Sequence, residues 1–175
     1  MNNSTAALSY DNMNDARPLY VRSTSGRYRP ATDDQVLAAG RVAAESLIST
    51  ANAMFTPDRV AKFFQSKLAG LGHECAAFLY LDTQLKPIRY IEQGTGTLSH
   101  ASIYPREIAK TALRLNAAAL IMAHNHPSGL AEPSAADISL TRQLKQALSL
   151  IDVRLVDHMV VSATGTTSLA ERGQV

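Results

Sequence analysis

Two histidines separated by a single residue, His124 and His126, begin a stretch that also contains Ser134 and Asp137. The apolar run 117–123 comes directly before them and predicts a buried strand. Side chains at positions i and i+2 of a strand point to the same face, so both imidazoles should face the same way. Two imidazoles on one face at the end of a strand can bind one metal ion.

Asp137 is the nearest carboxylate that can supply a third ligand. A catalytic zinc site typically has three protein ligands and leaves a fourth position open. Two histidines and one aspartate suit zinc well, although they would also admit cobalt or manganese. The only cysteine is Cys75, which excludes an intrachain disulfide and a zinc knuckle built on thiolates. We therefore expect one zinc ion per chain.

A second interpretation of Ser134 and Asp137 is structural, because their spacing is that of a helix capping box. In that interpretation Ser134 bonds the backbone of Asp137, the carboxylate reaches back to Ser134, and no catalytic role follows. The box begins eight residues after His126. The start of this helix can therefore face the same pocket as the two imidazoles, and both interpretations stay open.

A metal site that activates water also needs a base, because the water must lose a proton even after the metal lowers its pKa to roughly 7. A carboxylate that is not a ligand usually takes this proton and passes it to the leaving group. Glu74 is the candidate, since it stands at the start of an apolar strand. The alternative is that Glu74 is a solvated residue at a strand end.

Asp157 and His158 lie inside another apolar strand. They are candidates for a hydrogen-bonded core pair or for residues that support a metal ligand, and we favour these roles over a fourth ligand. Cys75 should face away from Glu74 and act as a small core residue.

The remaining pattern predicts an α/β (α+β) fold, with a mixed β-sheet covered by helices. Strand and helix alternate from residue 97 onward, which favours right-handed βαβ crossovers. The predicted helices run from 33 to 48, from 57 to 68, from 105 to about 116 and from 134 to 151, and the predicted strands are 75–81, 87–91, 97–103, 117–123, 153–161 and one short strand after a turn at 163–165. A bend is expected at 94–96.

Residues 1–31 are expected to form a flexible arm that contains arginines, because they are polar and lack apolar periodicity. Residues 32–56 should supply an N-terminal helix, and 57–175 the main domain. Arg22, Arg27 and the other arginines of the arm alternate with tyrosines and could lie along a phosphate backbone, with bases stacked on the rings. A solvated tail is the alternative.

Composition bounds the class of protein. Hydrophobic residues make up 46% and charged residues 18%, as in a soluble globular protein, and the net charge of +2 is too small to argue for nucleic acid. No apolar window approaches the roughly 18 to 20 residues of a membrane span, and a signal-peptide pattern is absent. We expect a cytoplasmic bacterial protein without a membrane partner.

These residues together resemble a known family. The JAMM pattern of the JAB1/MPN metallohydrolases is a distant Glu, then His-x-His, seven residues, Ser, two residues and Asp. Glu74, His124, His126, Ser134 and Asp137 meet every spacing. The chain from about 57 to 171 resembles the RadC branch of this family.

The resemblance implies that His124, His126 and Asp137 hold zinc, that Glu74 is the general acid and base, and that Ser134 stabilises the oxyanion of a tetrahedral intermediate. It also implies a curved mixed sheet between helices, similar in outline to the cytidine deaminases. The expected activity is hydrolysis of a peptide, isopeptide or related amide bond, with a peptide or protein as substrate.

Two features depart from the family pattern. Longer RadC proteins carry an N-terminal helix-hairpin-helix unit, and residues 1–56 have no such hairpin. Tyr104 stands where the family commonly has His, so no role can be transferred to that position. The alternative function is a binding module associated with DNA repair or mobile elements, in which the metal site is structural or vestigial. Phosphodiester cleavage is less favoured, because the carboxylate cluster of two-metal nucleases is missing.

Overall fold

The computed structural model describes residues 19–49, 56–95 and 103–175 of the 175-residue chain. Contacts divide the chain into two units, one ending at Ala39 and one beginning at Gly40. Along the described residues, no helix has both the length and the apolar character that crossing a membrane would require.

The N-terminal unit contains a hairpin that the sequence analysis did not predict. Strands β1 (Tyr20–Arg22) and β2 (Tyr28–Pro30) pair antiparallel. Gly26 lies in the turn at φ +83°, a conformation that a residue without Cβ adopts without strain. Helix α1 (Asp33–Ser49) follows, close to its predicted span. The arm, helix and main domain boundaries at 31 and 56 stay predictions.

The elements of the second unit follow the predicted order. They are α2 (Pro57–Leu68), β3 (Cys75–Leu81), β4 (Pro87–Thr95), α3 (Pro105–Arg114), β5 (Ala119–Asn125), α4 (Ala135–Ser149), β6 (Arg154–Val161) and β7 (Thr166–Ser168). β4 continues through Thr95, so 94 and 95, predicted to belong to a bend, are strand residues, and residue 96 lies outside the described residues. The strand predicted at 97–103 lies almost entirely outside the described residues.

Five strands form one mixed sheet in the order β4-β3-β5-β6-β7. β5 and β6 are parallel and joined through α4, whereas the other neighbours are antiparallel. β3 and β5 are buried along their whole lengths, as expected of interior strands. The predicted α/β fold with a mixed sheet between helices is confirmed.

Each face of the sheet has its own core. The first face packs against α2, where Phe63 and Phe64 are almost fully buried. The second face packs against α3 and α4 and includes Ala76, Phe78, Leu120 and Met122, among others. Each large apolar side chain buried in this way stabilises the fold by about 1.5 to 3 kcal/mol. The second face is the one on which the candidate site lies.

Candidate metal centre

His124 and His126 lie at the end of β5, next to the first turn of α4. His124 is the last residue of β5 whose side chain lies on the second face of the sheet, and it pairs with Ala76 on β3. The two Nε2 atoms are 3.0 Å apart, so the imidazoles converge as the strand alternation predicts. His124 is buried, while His126 is partly exposed. One side of the pair is therefore open to an incoming molecule.

Asp137 completes the cluster from the first turn of α4. Its Oδ1 lies 3.2 Å from Nε2 of His124, and its Oδ2 lies 3.6 Å from Nε2 of His126. One candidate ligand atom from each of the three residues lies within 4.8 Å of the other two. The structure thus brings together the three residues that we expected to hold zinc.

The capping box is also present, and it uses the same carboxylate. Oδ2 of Asp137 accepts from the backbone N–H of Ser134 at 2.7 Å and from its hydroxyl at 2.6 Å. Oγ of Ser134 in turn accepts from the backbone N–H of Asp137. Because the cap engages mainly Oδ2, Oδ1 remains directed at His124. The two interpretations of Ser134 and Asp137 are therefore compatible: the cap orients the carboxylate.

Burial raises the pKa of Asp137, but hydrogen bonding to His124 and Ser134 and the charge of His124 outweigh it and hold the pKa well below its usual range. The carboxylate is ionised at neutral pH as a result. An ionised carboxylate is the form that binds a metal ion.

The ring of His126 is oriented by the loop that follows it. Its Nδ1 lies 2.9 Å from the carbonyl oxygen of Leu130. A carbonyl only accepts, so Nδ1 must carry the proton and, in the neutral ring, Nε2 must carry a lone pair. Gly129 allows the loop to turn back at φ +88°. His126 is therefore held with its free nitrogen towards His124 and Asp137.

The donor set fits a metal ion such as zinc. Two imidazole nitrogens and a carboxylate oxygen converge, and at least one of these nitrogens has no proton to donate. Unprotonated acceptors repel one another unless a cation or a proton lies between them. Two nitrogens bound to one tetrahedral zinc at about 2.0 to 2.1 Å lie about 3.3 Å apart, close to the 3.0 Å found here.

Glu74 lies directly before β3 and is partly exposed. Glu74 stands two residues before Ala76, whose partner on β5 is His124, so it lies at the end of β3 that is nearest the histidines. Cys75 packs into the core on the first face, and an alternation continued through Glu74 would put that side chain on the second. The ligand cluster found among the described residues does not include Glu74.

Asn125 is a residue of the site that the sequence analysis left without a role. Its side chain is buried on the face opposite the two histidines. Oδ1 accepts from the backbone N–H of Cys75 at 2.7 Å, and Nδ2 donates to the carbonyls of His73 at 3.0 Å and Leu71 at 3.4 Å. Asn125 therefore ties the segment that carries Glu74 to the strand that carries the histidines.

The structure separates the two residues proposed to support the ligands. His158 reaches the site, with Nε2 2.8 Å from Nδ1 of His124. Asp157 does not, because its carboxylate accepts from the hydroxyl of Ser168 and the backbone N–H of Ala170. It lies on the first face of the sheet, level with Ile121.

A β-bulge accounts for this separation. The pairing of β5 with β6 shifts between Leu120 and Ile121, which leaves Val156 as an extra residue of β6. Val156 and Asp157 both lie on the first face, and His158 returns to the second beside Met122. Bulges next to functional sites re-aim side chains in this way. Strict alternation from Leu155 would have placed His158 on the wrong face.

Thr141 is a second residue to which the sequence analysis gave no function. It is fully buried one turn after Asp137 on α4, and its Oγ1 lies 2.6 Å from Nδ1 of His158. Burial is the largest of the effects that lower the pKa of His158 to about 3, so the ring is neutral at pH 7. The spacing of four residues from Asp137 was the only signal in the sequence that Thr141 shares the inward face of the helix.

Comparison with known proteins identifies the family of the chain. A family model described as the RadC-like JAB domain matches residues 54–174. A UPF0758 protein of Methylibium petroleiphilum is 54% identical over 118 residues, which cover 67% of this chain and 53% of the relative. A UPF0758 protein of Bordetella petrii is 45% identical over 148 residues, covering 85% of this chain and 66% of the relative. The chain thus spans about half to two thirds of the length of these relatives.

Proposed function

Because this chain belongs to the RadC-like JAB domain family, we propose that it is a zinc-dependent hydrolase that cleaves a peptide, isopeptide or related amide bond. One observation carries the proposal: the ligand atoms of His124, His126 and Asp137 converge at the end of β5, next to the strand β3 that Glu74 directly precedes. Three ligands with a carboxylate next to them are what a metal-assisted hydrolase needs.

In this proposal Nε2 of His124, Nε2 of His126 and Oδ1 of Asp137 hold the metal. When bound, zinc supplies a Lewis acid that activates water and polarises the carbonyl to be cleaved. Glu74 takes the proton from the attacking water and hands it to the leaving nitrogen. The fixed ring of His126 and the capped carboxylate of Asp137 keep the ligands in place without reorganisation.

Ser134 has a dual role in this proposal. Its hydroxyl donates to Oδ2 of Asp137, and the backbone N–H of Ser134 donates to the same oxygen. When the hydroxyl turns towards the developing oxyanion of the substrate, the backbone bond still holds the carboxylate. Ser134 can therefore stabilise the oxyanion without releasing Asp137.

The substrate we propose is a peptide or protein. The donor set supports hydrolysis at a partly open cluster, and an extended segment can approach the exposed side of His126. One zinc with a single neighbouring base suits an amide carbonyl better than a phosphodiester, whose cleavage commonly uses a pair of metal ions.

The test is a cleavage screen on purified, zinc-loaded protein with a peptide library and Lys-Nε isopeptides, read by mass spectrometry. Glu74→Gln should abolish cleavage while the protein keeps its zinc, because the base is lost and the ligands are not. Glu171→Gln makes the same change at an exposed position and should cleave like the wild type. Cleavage by Glu74→Gln at the wild-type rate, or wild-type protein without stoichiometric zinc, would overturn the proposal.

A second function is favoured by the N-terminal hairpin. Its pairing places Arg22 opposite Tyr28 on one face, with Arg29 on the other, and all three side chains are exposed. No acidic residue occurs from Leu19 to Thr32. A ribbon of exposed arginine and tyrosine can contact phosphates and stack on bases, so we propose a DNA-binding role for this unit.

Binding of single-stranded and duplex DNA, measured from 25 to 200 mM salt, tests this role. Replacing Arg22, Arg27 and Arg29 by Gln should weaken binding and reduce its salt dependence. Replacing Arg89, Arg106 and Arg114, which are exposed elsewhere, by Gln is the matched control. Equal loss in both triple variants, or no binding at 25 mM salt, would remove the proposal.

A further inference from the structure

A chain of three hydrogen bonds runs from the backbone of α4 to the ring of His124. Thr141 donates its hydroxyl to the carbonyl of Asp137 at 2.7 Å, and its Oγ1 lies 2.6 Å from Nδ1 of His158. Nε2 of His158 lies 2.8 Å from Nδ1 of His124. We propose that Thr141 and His158 are positioning residues that hold His124 in the one tautomer able to bind a metal ion.

The polarity of each bond follows from the one before it. A carbonyl only accepts, so the hydroxyl of Thr141 donates its single proton to the backbone carbonyl of Asp137. Oγ1 must then accept from His158, which places the ring proton on Nδ1. A neutral ring with its proton on Nδ1 has a lone pair on Nε2, and this lone pair accepts from His124. Nδ1 of His124 is therefore protonated, and its Nε2, which faces Asp137 and His126, is the nitrogen left to bind a metal ion.

Burial makes this order of donors and acceptors stable. Thr141 and His158 are both fully buried, so water does not offer either residue an alternative partner. Reversing one bond would require reversing the next, because Nδ1 and Nε2 of His158 each have one partner in the chain, Thr141 and His124. His124 is thus protonated on Nδ1, just as His126 is by donating its Nδ1 proton to the Leu130 carbonyl. Both ligands thus present Nε2, each through a bond made by its Nδ1.

His158 does not act as a fourth ligand in this arrangement. Both of its ring nitrogens are engaged, one with Thr141 and one with His124. Its Nε2 approaches the Nδ1 side of His124, away from the Nε2 atom that belongs to the ligand cluster. Partners of this kind, which orient a metal-binding histidine through its second nitrogen, commonly change metal affinity by 10- to 100-fold.

The proposal rests on the metal site proposed above, but one of its readouts does not depend on zinc. In metal-free wild-type protein, ¹⁵N NMR of the imidazoles at pH 8 should show that Nδ1 of His124 and Nδ1 of His158 both carry a proton. A wild-type spectrum in which Nδ1 of His124 carries no proton would overturn the proposal whether or not zinc binds.

The second readout is zinc affinity, measured by competition with a chromophoric chelator. Thr141→Val keeps the shape of the side chain but removes its hydroxyl, and we expect the dissociation constant to rise by about 10- to 100-fold. Thr141→Ser retains the hydroxyl and should restore most of the affinity and the wild-type ¹⁵N pattern. Ser139→Ala removes an exposed hydroxyl from the same helix and serves as control.

The outcomes separate the two proposals. If Thr141→Val binds zinc as tightly as the wild type and keeps the His124 tautomer, the positioning role is wrong while the metal site stands. If the wild type binds no zinc, the proposed hydrolase fails, and the ¹⁵N spectrum alone decides the tautomer. Should Thr141→Val fail to fold, Thr141→Ser and the wild-type spectrum still provide the decision.

Discussion

The backbone N–H of Cys75 donates to Oδ1 of Asn125 at 2.7 Å, and this bond joins the start of β3 to the end of β5. Glu74 precedes Cys75, while Asn125 stands between the two histidines. The candidate base and the candidate ligands are fifty residues apart in the sequence. The buried amide of Asn125 extends the link between these strands beyond their last paired residues, Ala76 and His124.

Replacing Asn125 by Ala should therefore damage both stability and activity. The N–H of Cys75 would be buried without a partner, which costs about 1 to 3 kcal/mol. Urea unfolding should show this loss, and peptide cleavage should fall more than zinc affinity, because Glu74 is freed while the three ligands are retained. Gln143→Ala, an exposed change on α4, should alter neither. Unchanged stability in Asn125→Ala would contradict this account of the amide.

Ser134 allows the cap and the catalytic hydroxyl to be tested separately. Ser134→Ala removes both and should cost about 1 kcal/mol of stability. Ser134→Asn supplies a side-chain oxygen that caps helices about as well as Ser, so its stability should be close to that of the wild type. Cleavage should nevertheless fall in both variants. If Ser134→Asn cleaves at the wild-type rate, the hydroxyl serves the cap alone.

Loss of a ligand should weaken zinc binding far more than loss of an orienting partner. His126→Ala should raise the zinc dissociation constant by more than the roughly 100-fold upper range for orienting residues. His73→Ala is the matched control, because His73 contributes its backbone carbonyl to Asn125 and that group is retained. Metal analysis after dialysis provides the measurement. Equal zinc content in the two variants would exclude His126 as a ligand.

Most of the second unit could be predicted, because its elements follow local rules. Apolar runs such as 75–81 became interior strands, and Pro105 begins α3 as proline commonly does at a first helical turn. The spacing of Ser134 and Asp137 similarly predicted the capping box that the structure contains. These signals all lie within a few neighbouring residues.

What could not be predicted depends on long-range register. The extra residue Val156 changes which face His158 occupies, and the strand pattern contains no sign of a bulge there. The contact of Thr141 with His158 follows from that bulge. The bond from Cys75 to Asn125 likewise required the pairing of β3 with β5 to be known. Each of these contacts joins residues of two different helices or strands, so the local sequence around either residue contains no signal of it.

The thiol of Cys75 provides a test of the core on the first face of the sheet, opposite the site. Burial raises its pKa to about 11, with a smaller contribution from the negative charge of Glu92. The folded state then holds the proton more tightly than the unfolded state, whose thiol titrates near 9. The stability this provides is fully present below pH 9 and is lost as pH rises towards 11, by up to about 3 kcal/mol. Urea unfolding at pH 8 and pH 10.5 should show a larger drop for the wild type than for Cys75→Ala, which lacks the titrating group. Alkylation by iodoacetamide at pH 8 should be slow in the folded protein and fast in urea, and rapid alkylation of the folded protein would show that the thiol is not buried in the core.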